Sequence, residues 1–149
     1  MVYGEIHYYL NEEVKKQVCK LILVFMEPEL KIIQKKIINI LKKNVPPLKI
    51  RKDSPGVFEV AGTKEFTYGK KKADSIYFAT VIPKPKDVRF YFFPIYTHEK
   101  EFKNISVDLR KCLKGKSCFY IKKLDVNLEK YFSKMIEKGV SIYKKCKLI

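Results

Sequence analysis

The sequence predicts one α+β domain, in which an antiparallel sheet of about five strands is packed by helices from both ends of the chain. Apolar residues recur at three- and four-residue spacing before residue 45 and after residue 125, as in amphipathic helices. Between residues 48 and 96 the pattern changes to short β-branched and aromatic runs separated by turn sequences, which is typical of antiparallel strands. A length of 149 residues with 46% hydrophobic content suits a single hydrophobic core.

Two helices are predicted ahead of the strands. Asn11 is placed to cap the first, which runs to about Phe25. Pro28 suits the first turn of the second helix, where apolar residues form a stripe along one side and lysines alternate with them on the other. The Pro46-Pro47 pair ends this helix, because proline lacks the amide proton and disfavours the α conformation in the residue before it.

The two strongest strands are residues 75–82 and 87–94, joined by a loop of alternating proline and lysine. Successive side chains of a strand point to opposite faces of the sheet. In the second strand one set of side chains therefore points one way and the alternate set the other: Val88, Phe90 and Phe92 against Arg89, Tyr91 and Phe93. Because both strands are rich in apolar residues on both faces, we expect them to be central strands with at least one face under helices.

The last third of the chain predicts a helix, a strand and a longer helix. Residues 107–113 read as a short helix, with Gly115 supplying its left-handed C-terminal cap. Residues 118–121 read as a strand. Asp125 is placed to cap the final helix, in which apolar residues repeat at three and four.

Three ordered sequence blocks stand out: DSIYFA at residues 74–79, FYFFPIY at residues 90–96 and LKGKSCFYIKKL at residues 113–124. Their order and spacing, together with a closing helix that contains Gly139, closely resemble YdhG-like domains, a bacterial group of uncharacterised function. The resemblance covers residues 29–145. It implies a curved antiparallel sheet packed by N-terminal and C-terminal helices, and a loose link of some relatives to frataxin-like iron handling.

The resemblance divides the chain into two parts. Residues 1–26 lie outside it and are predicted to form a helical N-terminal extension, whereas residues 27–149 form the YdhG-like domain. Met26 is a candidate for the native first residue, so whether the extension belongs to the native protein stays open. The tail at residues 146–149 departs from the Gly-Trp ending common in the family.

The chain is strongly basic, because 32 Lys and Arg against 16 Asp and Glu give a formal net charge of +16. Such a charge attracts polyanions before any specific contact forms, so nucleic acid is a candidate partner. A genome rich in lysine codons explains the same charge without a partner, and both explanations stay open. A homodimer is a further alternative if an apolar sheet face is left exposed.

Cysteine usage and hydropathy bear on location. The four cysteines form no CxxC pair and no secretory signal is visible, which predicts reduced thiols and a cytoplasmic protein. The longest apolar run, residues 21–26, is too short to span a bilayer, so no membrane partner is expected. No cofactor is expected, since a chain of this length buries enough surface to fold without a metal or disulfide.

We interpret the chain as a small non-enzymatic binding or interaction module whose ligand surface is a sheet face or groove. The predicted ligand-binding residues are Arg89, Tyr91, Tyr96 and Lys116.

Accessory nucleic-acid binding is the first alternative, because tyrosines on strands stack on bases while lysines follow the phosphates. A packing role for the strand tyrosines, under a helix or loop, stays open beside it. The residues predicted for nucleic-acid binding are Lys70, Lys71, Lys72 and Tyr77.

Metal handling and catalysis have weaker support in the sequence. A frataxin-like role calls for an acidic ridge, and the paired glutamates here sit in first turns of helices, where the helix dipole explains them. No metal ligands are therefore assigned, although Cys112 and Cys118 flank one turn and could meet near His98. No residue is assigned a catalytic role: Ser117 and Cys118 lie outside any GxSxG motif, and Lys116 lacks the upstream glycine of a phosphate-binding loop.

Overall fold

The computed structural model describes residues 11–25 and 28–149 of the chain. Over these residues the protein is α+β. Helices precede and follow the strands of a six-stranded antiparallel sheet, and a separate two-stranded sheet is also present. The predicted fold class is confirmed. The helices are α1 (Glu12–Phe25), α2 (Pro28–Lys42), α3 (Phe93–Thr97), α4 (Val107–Cys112) and α5 (Val126–Lys145), with a 3-10 helix at Glu99–Phe102. The strands are β1 (Lys49–Ser54), β2 (Val57–Ala61), β3 (Phe66–Tyr68), β4 (Lys71–Ala73), β5 (Tyr77–Pro83), β6 (Val88–Phe92), β7 (Leu113–Lys114) and β8 (Cys118–Ile121).

The main sheet has the strand order β1-β2-β5-β6-β8-β7 with antiparallel pairing throughout. The predicted hairpin, β5 and β6, lies at its centre, as the apolar character of both strands indicates. The sheet gains a sixth strand because Leu113 and Lys114 pair with β8 instead of extending the helix before them. The β3–β4 hairpin is inserted between β2 and β5.

Strand alternation gives the main sheet two chemically different faces. The phenylalanine face is buried, with most of its side chains fully enclosed. The tyrosine face is the opposite one, and its tyrosines, Arg89 and Cys118 are half-buried. The phenylalanine face comprises Phe58, Val60, Ala79, Val81, Val88, Phe90, Phe92, Phe119 and Ile121. The tyrosine face comprises Glu59, Tyr77, Thr80, Ile82, Arg89, Tyr91, Cys118 and Tyr120.

Helices α2 and α5 pack on the phenylalanine face. Phe132 of α5 lies edge-on to both Phe90 and Phe119, with ring centroids 5.8 and 5.5 Å apart. Lys36 of α2 and Glu129 of α5 form an ion pair of 3.1 Å that joins the two helices. The core of the protein therefore lies between this face and these two helices.

Side-chain caps fix where α1, α4 and α5 begin. The Asn11 side chain accepts a 2.9 Å hydrogen bond from the Val14 amide, and that of Asp125 accepts one of 2.7 Å from Leu128. Both predicted caps are thus confirmed. Ser106 caps α4 in the same way, because its hydroxyl accepts from the Leu109 amide at 3.2 Å. Each cap satisfies an amide that has no partner within its helix.

Two predicted boundaries are wrong. Strand β6 ends at Phe92, because Pro94 occupies the first turn of α3 and cannot donate to a sheet ladder. Helix α4 ends at Cys112, and Gly115, with a φ of +80°, forms the turn between β7 and β8 instead of capping that helix. The predicted N-terminal extension, residues 1–26, is described only from Asn11 to Phe25, so Met26 lies outside the described residues.

None of the helices in the described ranges has the length and apolar character needed to cross a membrane.

Candidate functional site

The tyrosine face carries rows of side chains that cross the sheet from edge to edge. One row runs over all six strands and has a lysine at each end. A second, parallel row contains Arg89 between Ile82 and Tyr120. The face therefore presents aromatic rings on adjacent strands, with cations beside and between them. The first row comprises Lys52, Glu59, Thr80, Tyr91, Cys118 and Lys114.

Arg89 is held in place on this face. Its guanidinium lies 3.6 Å from the centroid of the Tyr120 ring, and its Nε donates a 2.6 Å hydrogen bond to the Asp87 carboxylate. Burial opposes the charged form, but the hydrogen bond and charge of Asp87 outweigh it, so the pKa of Arg89 lies above its ordinary value. Arg89 thus offers a fixed, charged guanidinium whose plane is already oriented by a ring.

A hydrogen-bonded chain orders the opposite end of the face. The Tyr77 hydroxyl donates to Thr80 at 2.6 Å, and the Thr80 hydroxyl donates to Glu59 at 3.3 Å. Arg51, which sits at a bulge in β1, approaches Glu59 at 3.6 Å and donates to the Ser75 carbonyl at 2.8 Å. Burial raises the pKa of Tyr77 to about 12, although the hydrogen bond to Thr80 acts in the other direction. Because Arg51 lies 3.6 Å from Glu59, its positive charge compensates the negative charge of the Glu59 carboxylate.

Tyr91 and Cys118 are paired across β6 and β8 at the middle of the face. Burial raises the pKa of both the Tyr91 phenol and the Cys118 thiol. Because the thiolate is the nucleophilic form of cysteine, a raised pKa gives Cys118 little reactivity near neutral pH. These two side chains place a phenol and a thiol at the middle of the face.

Of the four residues predicted to bind ligand, the structure places Arg89 and Tyr91 together on the tyrosine face. Tyr96 and Lys116 lie elsewhere, at a cavity of about 450 Å³ between α3, the 3-10 helix and the β7–β8 turn. There the Lys116 ammonium lies 5.5 Å from the centroid of the Tyr96 ring. We call this space the end cavity. Its lining comprises Ile95, Tyr96, Glu99, Phe102, Lys103, Arg110, Leu113, Gly115 and Lys116.

The residues predicted for nucleic-acid binding also fall in two places. Lys70, Lys71 and Lys72 are exposed on the β3–β4 hairpin, whose turn has Gly69 at a φ of 59°. Tyr77 lies on the main sheet and packs against Phe93, with ring centroids 5.6 Å apart. The hairpin carries its own aromatic residue instead, since Tyr68 is 79% exposed.

The cysteines and His98 are arranged differently from the prediction. His98 approaches Cys146, with Nε2 and Sγ 3.7 Å apart, and its Nδ1 lies 2.8 Å from the Thr97 hydroxyl. Cys112 and Cys118 are half-buried free thiols. Within residues 11–25 and 28–149, no three His, Cys, Asp or Glu side chains come together as metal ligands would. The frataxin-like alternative gains no ligand set from this part of the chain.

Several residues of the tyrosine face were missed from the sequence. The place of Tyr120 on this face can be predicted from the sequence, because Tyr120 alternates with Phe119 and Ile121 in a predicted strand and so points away from the core. Arg51 and Glu59 gave no such signal, since their pairing depends on a bulge between Ile50 and Lys52.

Comparison of the chain with protein-family models, with curated proteins and with solved structures finds no match.

Proposed function

We propose that this protein is a cytoplasmic, non-enzymatic binding module of the YdhG-like kind, and that its tyrosine face binds single-stranded nucleic acid. The observation that carries the proposal is the arrangement of Tyr91, Arg89 and Tyr120 on adjacent strands of one half-buried face. Single-strand binders use such sheet aromatics as stacking platforms, with basic residues along the backbone path.

The aromatic residues support stacking because of where their rings lie. Tyr91 on β6 and Tyr120 on β8 are diagonal neighbours, because Tyr91 is opposite Cys118 and Arg89 is opposite Tyr120. Diagonal side chains of adjacent strands lie about 7 to 8 Å apart, so the two rings can contact neighbouring bases of one strand. The Arg89 guanidinium already stacks on Tyr120 at 3.6 Å and extends this surface with a charged plane. Arginine planes accept bases in the same way as aromatic rings.

The distribution of charge supports a polyanion as the ligand. Lys52 and Lys114 are exposed at the two edges of the face, where a nucleic-acid backbone would leave the bases. The carboxylates on or next to the face, Asp87 and Glu59, are paired with Arg89 and Arg51. Their charge is compensated internally, so they oppose phosphate binding less than free carboxylates would.

A basic cleft adjoins the tyrosine face at the edge of the sheet that carries Lys52. A cavity of about 700 Å³ separates α1 from the β1–β2 turn and the end of β5. Its two carboxylates are already engaged, Glu12 with Lys15 at 3.0 Å and Asp53 with Lys42 at 3.6 Å. The cleft therefore adds positive potential next to the tyrosine face. The lysines that line it are Lys15, Lys16, Lys20, Lys52 and Lys84.

Fluorescence anisotropy tests the proposal, with a 3′-labelled single strand of about 12 nucleotides that has a 5′-hydroxyl. We expect Tyr91→Ala and Tyr120→Ala each to weaken binding by about 5- to 100-fold, because one stacked base is lost. Lys114→Gln should lower the slope of log K against log salt by about 0.7, because one phosphate contact is lost.

Lys31→Gln is the matched control. It removes one positive charge from the exposed side of α2, which packs on the other face of the sheet, and it should bind like the unaltered protein. A basic protein of similar net charge controls for non-specific attraction. If Tyr91→Ala and Tyr120→Ala, folded by circular dichroism, bind as tightly as the unaltered chain, the stacking platform is wrong. If the unaltered chain binds no more tightly than the basic control protein, the charge of +16 is compositional.

A further inference from the structure

We infer that the end cavity is a second binding site, which takes the phosphomonoester group of a nucleotide, either a free mononucleotide or the phosphorylated end of a strand. The inference goes beyond the tyrosine face, because the residues that line the end cavity are different from those that form the face. It rests on the size of the cavity, on three cations at its walls and on its aromatic and apolar lining.

The size of the end cavity suits a nucleotide. Its volume of about 450 Å³ lies within the range of pockets that hold small molecules, which is roughly 300 to 1,000 Å³. Phe102 and Ile95 are 2% and 6% exposed and form an apolar floor fixed by the core. The floor is therefore held in place before any ligand arrives, which lowers the entropic cost of binding.

Three cations line the end cavity, and they are free to meet an anion. Among the described residues, Lys103, Arg110 and Lys116 have no carboxylate within ion-pair distance, in contrast to Arg51 and Arg89 on the tyrosine face. Arg110 Nη2 donates to the carbonyls of Phe102 at 3.3 Å and Lys103 at 3.1 Å. These bonds hold the guanidinium at the wall while its other nitrogens stay available, as a phosphate clamp requires.

The remaining lining favours a nucleotide over inorganic phosphate. Tyr96 is 51% exposed at the cavity, and Lys116 lies over its ring. A phosphate in the cavity draws Lys116 off the ring, which leaves that ring face for a base. Glu99 adds a carboxylate acceptor, which suits the hydroxyl and amino donors of a nucleoside.

An aromatic run connects the end cavity with the tyrosine face. Phe93 lies between Tyr77 and Tyr96, with ring centroids 5.6 and 5.9 Å from theirs. A strand that lies on the face can follow these rings to the end cavity, where its terminal phosphate would meet the three cations. A free mononucleotide can also enter the cavity alone, so the experiment must separate the two sources of the same group.

Calorimetric titration of the full chain with adenosine 5′-monophosphate, adenosine and inorganic phosphate tests the site. We expect the monophosphate to bind at least about tenfold more tightly than adenosine, because charge-assisted hydrogen bonds to phosphate are lost in the nucleoside. Lys103→Gln and Lys116→Gln should each weaken monophosphate binding by about tenfold, and Lys31→Gln should leave it unchanged. Tyr96→Leu should weaken it further than Tyr96→Phe, which keeps the ring.

A second arm uses single strands with a 5′-phosphate, a 3′-phosphate or hydroxyls at both ends. Tighter binding of one phosphorylated strand, lost in Lys116→Gln, identifies the strand end as the source. Binding of the mononucleotide without any end preference identifies the free nucleotide. Equal binding of adenosine and its monophosphate, or no effect of Lys103→Gln and Lys116→Gln in either arm, would overturn the inference. Tyr91→Ala separates it from the tyrosine-face proposal, because this change should weaken strand binding and leave mononucleotide binding intact.

Discussion

The two faces of the main sheet are built from the same strands and differ mainly in what stands at alternate positions. In β6, Phe90 and Phe92 point to the helices, whereas Arg89 and Tyr91 point to the other side. In β8, Phe119 and Tyr120 divide in the same way. The rings on the phenylalanine face are fully buried, and those on the tyrosine face are half-buried. In β6, a charge and a hydroxyl at alternate positions thus distinguish the half-buried face from the enclosed one.

Aromatic content alone does not distinguish the two faces. Phe90 contacts the rings of Phe92, Phe119 and Phe132, so its apolar surface is used within the core. Tyr120 is contacted by Arg89 on one side and keeps surface for solvent. Tyrosine is suited to such a position, because its ring packs while its hydroxyl stays hydrated.

The largest effect on stability is expected when Phe90 on the phenylalanine face is truncated. Its neighbour Tyr91, which points to the tyrosine face, is the comparison. Phe90→Ala should lower the free energy of unfolding by about 3 to 5 kcal/mol, because it opens a cavity among buried rings. Tyr91→Ala should cost about 1 kcal/mol, since this side chain is already part-solvated. Urea unfolding followed by circular dichroism measures both. Equal losses would show that Tyr91 is packed as tightly as Phe90, and would contradict the difference in burial between the two faces.

Gly139 tests how closely α5 packs on the phenylalanine face. A Cβ at this position would lie 2.7 Å from Cζ of Phe92 and 3.2 Å from Cζ of Phe78, both fully buried. Overpacking costs about 1 to 3 kcal/mol, and alanine returns about 1 kcal/mol through helix propensity. Gly139→Ala should therefore lower stability by about 1 kcal/mol, whereas Ser141→Ala on the exposed side of α5 should not lower it. A gain in stability for Gly139→Ala would mean that the rings of Phe92 and Phe78 move to accommodate the added methyl group.

A separate effect is expected at alkaline pH, where one tyrosine on each side of the sheet contributes. Burial raises the pKa of Tyr77 to about 12 and also raises that of Tyr143, whose hydroxyl donates to the Tyr77 carbonyl. In the unfolded chain both ionise near the ordinary value of 10.0. Their stabilisation is thus complete below that pH and is lost as the pH rises through the folded values.

Urea unfolding at about pH 8 and about pH 11 measures this loss. Tyr77→Phe and Tyr143→Phe should each reduce the decline in stability between the two pH values, since phenylalanine cannot ionise. Tyr68→Phe, at a residue 79% exposed, should leave the decline as it is in the unaltered chain. A decline unchanged in all three variants would show that neither buried phenol stays protonated in the folded protein.

Much of the fold follows from local patterns that the sequence displays. Helix α2 and the caps Asn11 and Asp125 lie where spacing and capping chemistry predict them, because these features depend on residues within a few positions of each other. The alternation of Arg89 and Tyr91 with phenylalanines also predicted their common face. Curvature of the sheet and the division at residue 26 stay predictions.

The candidate ligand surface was only half determined in this way, because its parts come from distant segments. The sequence by itself specified the α+β class, the central hairpin and which residues of each strand share a face, since period-two alternation is a local property. Only the tertiary structure decided that Tyr96 and Lys116 meet at the end cavity, away from Arg89, and that β1 brings Arg51 to Glu59. Such juxtapositions depend on strand order and on a bulge, which arise from packing of the whole chain rather than from neighbours in sequence.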